Sequence, residues 1–368
     1  MKITFLIDVM RRGGAQKILS LILDILSCNG FEVQLVVLKK TQDVMEIPNI
    51  KVFYLLGSEK EPLLSNSFLL LESFSNIAKD CDLIVSFMDF ITSYYAVLGA
   101  KILFKPYYIF VRCEPSFVEN NFSQSSINHT LYAMCLQGAL RVVCNSRASC
   151  KDVERNFGVL RTKIDLLYNP IDTAKIMRLS QQALEFPKQE GEVFCFAIGR
   201  LHAQKNYLTL LQAFKALPNF IKLYILGEGE QREEIEAYLQ THQMQNVSLL
   251  GFKENIYPLL KKADIFIHTS YYEGFPNAVL EAASLGLPLL LSNIPTHKEI
   301  FEDKALFFDP YNAEELCENL KGLIKNTALL AKLKKQSFEA LKQYSMESFS
   351  KEVLRIFQEA KTALGKPS

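Results

Sequence analysis

The 368-residue chain has no surplus of either charge: 41 Lys and Arg stand against 40 Asp and Glu. Divided after Asp172, it carries 18 basic and 17 acidic residues before that point and 23 of each after it. Neither part is a polycation, so nucleic acid is not an expected partner. The eight cysteines include no CxxC pair, and no Cys/His cluster has zinc spacing, so no metal site is expected. Several thiols lie in apolar runs, as Cys144 does in RVVCN and Cys195 in VFCFA, and read as small buried hydrophobes. Scattered thiols in a long chain suggest a reducing compartment. No run of about 18 uncharged apolar residues occurs, which excludes a membrane-spanning helix. The opening MKITFLIDVMRRGG lacks the grammar of a signal peptide, because Asp8 breaks the apolar run and Arg11 and Arg12 follow it. A cytoplasmic protein is therefore expected, in which the N-x-S/T triplets at Asn121, Asn128 and Asn246 carry no meaning. With Gly at 16 and Pro at 13, collagen-like and Pro-rich classes are out, and neither a tandem repeat nor a low-complexity tract is present.

What is present is a folded composition, 49% hydrophobic and 22% charged, long enough for two domains. Short apolar runs alternate with amphipathic stretches. Strands are expected at Ile3–Val9, Glu32–Leu38, Val52–Leu55, Leu83–Ser86, Tyr107–Arg112, Val142–Asn145 and Ile164–Leu167, with helices such as Ala15–Cys28 and Phe68–Lys79 between them. The pattern pauses at Tyr168–Asp172, where Pro170 interrupts, and again over the polar Ser180–Gly191. A second series follows: strands at Val193–Ile198, Lys222–Leu226, Val247–Leu250, Ile265–Thr269, Pro288–Ser292 and Ala305–Phe308. Helices of that series include Lys205–Leu217 and Asn277–Leu285, and the chain closes with an interrupted helix Asn312–Leu341 and Met346–Ala363. This alternation implies an α/β protein of two doubly wound Rossmann-like domains facing across a cleft, with ligands at the carboxyl ends of the strands.

The informative residues should lie just after strands. After the first come Gly13 and Gly14, which let backbone approach a ligand closely; a tight turn with no ligand would use the same pair. After Val193–Ile198 comes GRLHAQKN, placing Arg200 and Lys205 at the strand's mouth. A guanidinium fork and an ammonium suit a diphosphate; a solvated basic loop would look the same. After Ile265–Thr269 comes SYYEGFPNAVLE. The amides of Phe275–Val279 open a helix and are expected to be free, a natural anion site. Glu273 and Glu281 beside such a site make sense as acceptors for sugar and ribose hydroxyls, or as carboxylates favoured by the helix dipole.

These motifs, together with ILGEGEQREEIE, LLGF at Leu249–Phe252 and ADIFIHTS, make the chain resemble the retaining GT-B glycosyltransferases called glycosyl transferases group 1 (glycosyltransferase family 4), over nearly its whole length. The E-x7-E pair Glu273…Glu281 in EGFPNAVLE is the most specific match. The resemblance implies that Arg200 and Lys205 hold the donor diphosphate and that Glu281 binds the ribose. Glu273 then meets the donor sugar or its reacting face. It assigns the amides of Gly274, Phe275, Asn277 and Ala278 to sugar and phosphate, Gly13–Gly14 to the diphosphate, and backbone near Phe252 to a base, commonly uracil. Arg112 and Glu114, in VRCEP, resemble an acceptor-side stretch; Cys113 stands where the family carries Asn, and the two charges also suit a structural ion pair.

The expected reaction moves a hexose or N-acetylhexosamine from a nucleotide sugar, UDP-linked as the resemblance implies, to a glycan or lipid-linked glycan, with retention. No cofactor and no metal is expected, since cations and amides meet the leaving diphosphate. The D-x-D at Asp80–Asp82 precedes a strand rather than following one. Related folds imply residues 1–172 as the acceptor-side domain, joined by a crossover helix at 345–368, and residues 173–344 as the donor domain. KILFKPYY at Lys101–Tyr108, the Phe117–Phe122 loop and the series Arg147, Lys151, Arg155 fit docking on the inner face of an anionic membrane; a solvated helix face fits too. The rival readings are a nucleotide-sugar 2-epimerase or hydrolase, a phosphorylase, for which no pyridoxal lysine is marked, and a non-catalytic sugar-binding protein.

Overall fold

Seven apolar runs of the first 169 residues form one parallel sheet. Its strands are β1 (Lys2–Val9), β2 (Glu32–Lys39), β3 (Lys51–Leu56), β4 (Leu83–Ser86), β5 (Tyr107–Val111), β6 (Arg141–Cys144) and β7 (Ile164–Leu166). The structure, a computed structural model, describes residues 1–11, 13–119 and 125–366. Arg12 and the 120–124 part of the expected aromatic loop, with its Asn121 triplet, lie outside them. The strand order is β3-β2-β1-β4-β5-β6-β7, with register Ile3 against Val33 on one side and Leu83 on the other. The order reverses between β1 and β4. Both faces are covered, so the strands read as unbroken apolar runs. One face packs on the helices Ser67–Ala78, Ile91–Ile102, Ser125–Gly138 and Arg147–Phe157 through Phe74, Ala96, Tyr132 and Val153. The other packs on Gly14–Cys28 and on the last helix, Met346–Ala363.

That last helix drives Phe349, Val353, Ile356, Phe357 and Ala360 into the core of the first sheet. The Phe357 ring lies 5.9 Å from those of Phe5 and Tyr108. Burial of each such large apolar side chain contributes about 1.5–3 kcal/mol. On its polar side Arg355 bonds Asp165 of β7 at 2.7 Å. The chain thus forms two compact units, Met1–Asn169 with Glu347–Ser368, and Pro170–Met346.

The second unit holds β8 (Val193–Ile198), β9 (Ile221–Leu226), β10 (Val247–Gly251), β11 (Ile265–His268), β12 (Leu289–Ser292) and β13 (Leu306–Phe308), all parallel in the order β10-β9-β8-β11-β12-β13. Here the order reverses between β8 and β11. Both sheets are doubly wound.

Element existence follows the sequence pattern, and boundaries move for local reasons. The first helix begins at Gly14 rather than Ala15, with Gly13 extended at its N-cap. The helix expected from Lys205 begins at Tyr207, because Asn206 adopts φ 53° and breaks the run. Tyr107 and Tyr108 of KILFKPYY are not surface aromatics: they lie in β5 and are buried. The interrupted helix after Asn312 resolves into Ala313–Lys325 and Thr327–Glu339, the second capped by Asn326, whose side-chain oxygen accepts from the Leu329 amide.

Candidate functional site

In a doubly wound sheet the crevice lies at the carboxyl ends of the strands where the order reverses. In the second unit that places it after β8 and β11. The loop after β8 carries Gly199 to Asn206, and the loop after β11 carries Thr269 to Pro276. The two are laced together. Gln204 donates to the Tyr272 carbonyl at 2.8 Å, the Tyr271 amide to the Gln204 carbonyl at 2.9 Å, and the Thr269 hydroxyl to the Lys205 carbonyl at 2.7 Å. Buried Asn206, left-handed, ties this junction down through bonds to the carbonyls of Thr269 and Pro310. The loop after β9 closes against the same turn. Gly227 at φ 141° and Gly229 bring backbone so near that an added Cβ would meet the Gly199 oxygen at 2.0 Å and the Leu201 oxygen at 2.3 Å. That is the physical content of the GEGE spacing.

This lacing brings residues 68 positions apart into contact. The Lys205 ammonium lies 2.5 Å from Glu273 Oε1, a pair whose side chains are 18% and 8% exposed. Ser270 donates to the same oxygen at 2.6 Å, and Thr296 holds the Glu273 carbonyl at 2.8 Å. Arg200 is exposed beside β8, and no side-chain partner is seen for it among the described residues. The helix Asn277–Ser284 starts with Pro276 at the N-cap and no side-chain cap. Its first amides are not all free, as the sequence suggested. Pro276, at φ −85° and ψ 71°, makes a tight inverse turn in which the Asn277 amide donates to the Phe275 carbonyl at 3.0 Å. The Val279 amide donates to the Pro276 carbonyl at 2.9 Å. Gly274 and Phe275 are buried in the loop, and Ala278 lies in the helix's first turn. Glu281, one turn in, accepts from the Tyr257 phenol at 3.3 Å; burial, with Glu281, raises the phenol's pKa. Phe252 is exposed just past β10.

Residues that sequence reading missed stand behind Glu273. His268 at the end of β11 puts Nε2 3.6 Å from Glu273 Oε1, and its Nδ1 is 3.0 Å from Nε2 of His297. Burial, then the charge of Lys205, holds His268 well below the usual imidazole range. Burial holds His297 down at about 4. The signal was available: a histidine closing the apolar strand IFIH, and SNIPTH after the next one.

In the first unit the reversal point lies after β1 and β4. Gly13 and Gly14 open the helix after β1, and Gln16 closes the turn by donating to the Val9 carbonyl at 3.1 Å. After β4 stands Asp89, also missed. It accepts from the Tyr132 phenol at 2.8 Å and from the Arg112 amide at 3.1 Å. Burial pushes this carboxyl up to about 6. Phe90 beside it adopts φ 52°, a strained value for an aromatic residue. The Arg112 guanidinium donates to Asn169 at 3.0 Å and lies over the Phe87 ring at 5.0 Å. Burial lowers it to about 10. Glu114 is buried. Asp82 of the D-x-D has a structural role: it accepts from the Lys2 amide and pairs with Lys366 at 2.7 Å.

Comparison with known proteins covers both units. Residues 12–175 match the family model described as Glycosyltransferase Family 4, and residues 181–340 match that of Glycosyl transferases group 1. An N-acetylgalactosamine-N,N'-diacetylbacillosaminyl-diphospho-undecaprenol 4-alpha-N-acetylgalactosaminyltransferase from Campylobacter jejuni is 27% identical over 96% of this chain and 98% of its own. Among solved structures, HepE of Anabaena in complex with UDP aligns with TM-score 0.81 at 20% identity, over 98% of this chain and 100% of that one. Sucrose-phosphate synthase of Thermosynechococcus elongatus aligns with TM-score 0.84 at 16% identity, over 98% and 99%. These two likenesses show the GT-B fold.

Proposed function

The chain belongs to the glycosyl transferases group 1 and is a glycosyltransferase, and from that premise we propose that it moves an N-acetylhexosamine or hexose from a UDP-sugar to a lipid-linked glycan, retaining the anomeric configuration and using no metal. The supporting observation is the laced pair of loops after β8 and β11, which concentrates Arg200, Lys205, Glu273 and an uncapped helix start at one reversal point. Breaking the sugar–phosphate bond sends negative charge onto the departing diphosphate. Arg200, with its donors unengaged, and Lys205 meet that charge, and the positive end of the helix reinforces them. Glu273 accepts from sugar hydroxyls or stabilises the reacting carbon's positive charge. Glu281, oriented by Tyr257, accepts from the ribose. Backbone near Phe252 receives the base. Arg112 and Glu114, with Asp89, serve the acceptor.

The Campylobacter relative acts, by its name, on a diphospho-undecaprenol-linked saccharide, which favours an acceptor of that class and an N-acetylgalactosamine donor. The first unit supports docking on an anionic membrane. Its helices Ser67–Ala78, Ile91–Ile102 and Ser125–Gly138 carry two charged residues between them, Glu72 and Lys101. Phe68 is 82% exposed, and Phe104, past the second of these helices, is 95% exposed. Arg147, Lys151 and Arg155 lie exposed on the neighbouring helix. Apolar area with a basic border is what an anionic interface binds.

The test is incubation of the purified protein with UDP-N-acetylgalactosamine or UDP-glucose and a polyprenyl-diphosphate saccharide, with and without EDTA. The expected product is the acceptor extended by one α-linked sugar, formed equally with chelator. A β-linked product, loss of activity with EDTA, or release of free sugar alone would each refute the corresponding part.

A further inference from the structure

The two buried imidazoles behind Glu273 have no part in the chemistry above. His268 is 4% exposed and His297 is fully buried. Their proton positions follow from their neighbours. His297 Nδ1 stands 2.8 Å from the Ser292 carbonyl, which can only accept, so Nδ1 carries the hydrogen. His297 Nε2 is then the bare nitrogen and accepts from Nδ1 of His268 at 3.0 Å. A neutral His268 is left with an unprotonated Nε2, and that atom is buried with no hydrogen-bond partner among the described residues. It points at Glu273 Oε1, 3.6 Å away. Two acceptors face one another, and the arrangement holds because the Lys205 ammonium sits on the same carboxylate oxygen.

Donor binding upsets this balance, on the reading that Lys205 serves the diphosphate. A phosphate that draws the ammonium away leaves Glu273, buried, with Ser270 as its remaining side-chain donor among the described residues. An unpaired carboxylate in such a place is strongly disfavoured. The nearest group able to restore a donor and a positive charge is the bare Nε2. We propose that His268 takes a proton from solvent at Nε2 as the nucleotide sugar binds, and becomes the counter-ion that holds Glu273 in place while Lys205 moves to the leaving diphosphate.

The titratable groups around His268 fit this exchange. Burial, and after it Lys205 from the loop after β8, keeps the imidazole neutral in the free protein. Glu273 from the loop after β11 favours the imidazolium once the ammonium is shared. Burial keeps His297, from the helix Pro295–Phe301, neutral, and its bond to Ser292 fixes which nitrogen carries the hydrogen. The Tyr207 phenol, raised by burial and by Glu273, donates to the Gly199 carbonyl at 3.0 Å and remains protonated. His268 is thus a positioning residue: it acts through Glu273 and touches no substrate.

Titration calorimetry of the full chain at pH 7 with UDP-N-acetylgalactosamine and UDP-glucose, in buffers of different ionisation enthalpy, tests the proposal. Both phosphates of a UDP-sugar are fully ionised diesters at that pH, so the ligand itself neither takes nor gives a proton. The expected result is uptake approaching about one proton per donor bound, lost in His268→Gln. Binding without uptake, or uptake unchanged in the variant, overturns the proposal and leaves the donor site standing. Absence of binding by either UDP-sugar overturns the donor site and the proposal together. Nitrogen NMR of the wild-type histidines decides the matter without any variant. One imidazole nitrogen must move from the unprotonated to the protonated range on addition of donor, and a spectrum that does not move refutes the idea.

Discussion

The carboxyl edges of the two sheets are built on the same strand order and bury opposite kinds of titratable group. In the first unit a carboxyl, Asp89, is pushed up to about 6. In the second an imidazole, His297, is pushed down to about 4, and His268 lies lower than usual beside it. Burial is the leading cause in each case, and in each the neutral form is the one favoured. The difference lies in how the surrounding charge is handled. The second edge pairs Lys205 with Glu273 in a dense set of loop-to-loop bonds, whereas the first holds Arg112 through an amide oxygen and an aromatic face. A site that must receive a dianion and release it needs cations already aimed. A site that must receive a hydroxyl needs only an acceptor and room.

The largest effect that would sharpen this contrast comes from Lys205→Ala. Loss of one preorganised donor to the leaving group lowers kcat by ~10²–10³-fold. Stranding a buried Glu273 also destabilises by roughly 3–5 kcal/mol, so the thermal midpoint falls as well. Arg200→Ala, at an exposed position, should show a comparable rate loss with an unchanged midpoint. Equal loss of stability in both variants would break the distinction between the paired and the unengaged cation.

The pH dependence should differ in sign between the edges. An imidazole with a depressed folded value binds its proton more readily in the unfolded chain, so it costs stability as pH falls from about 6.5 towards 4. A carboxyl with a raised folded value does the reverse: its stability cost is complete above about 6 and disappears as pH falls towards the ordinary carboxylate range. Hydrogen exchange followed separately in β11–β12 and β4–β5 should therefore show protection falling on acidification in the second unit and held or rising in the first. Parallel loss in both would refute the opposition. Asp89→Asn should remove the acid-side trend of the first unit and raise the midpoint at pH 7 by roughly 2–4 °C, while lowering turnover if Asp89 orients the acceptor.

The smallest effect concerns the helical coats. Those of the second unit are ordinarily charged, as in Arg232–Thr241 (REEIEAYLQT), whereas three helices of the first carry Glu72 and Lys101 alone. Phe68→Ser with Phe104→Ser should reduce flotation with anionic vesicles several-fold and leave turnover on a soluble acceptor unchanged. Equal flotation of the variant would move the docking surface elsewhere.

Much of this was readable in advance. Parallel strands buried on two faces produce unbroken apolar runs, so both sheets were visible, and GRLHAQKN and EGFPNAVLE marked the loops that follow β8 and β11. The pairing of Lys205 with Glu273 was not visible, because it depends on backbone lacing across 68 positions. Asp89 sits in FMDF with no spacing to mark it; its character comes from burial, and its phenol donor, Tyr132, lies 43 residues on. The amide of Asn277 is engaged through the turn at Pro276, which no spacing in the sequence marks. Local pattern encodes elements; the state of a buried polar group is set by residues distant in sequence.

The last helix completes the hydrophobic interior begun by β1, with Phe357 against Phe5. During synthesis the ribosome must therefore release the chain past Ala363 before the segment that holds β1 can reach its final packing, whereas the unit Pro170–Met346 is contiguous and is released earlier. The unit whose synthesis starts first is thus the one completed last, and its unfinished apolar surface is what a chaperone would meet.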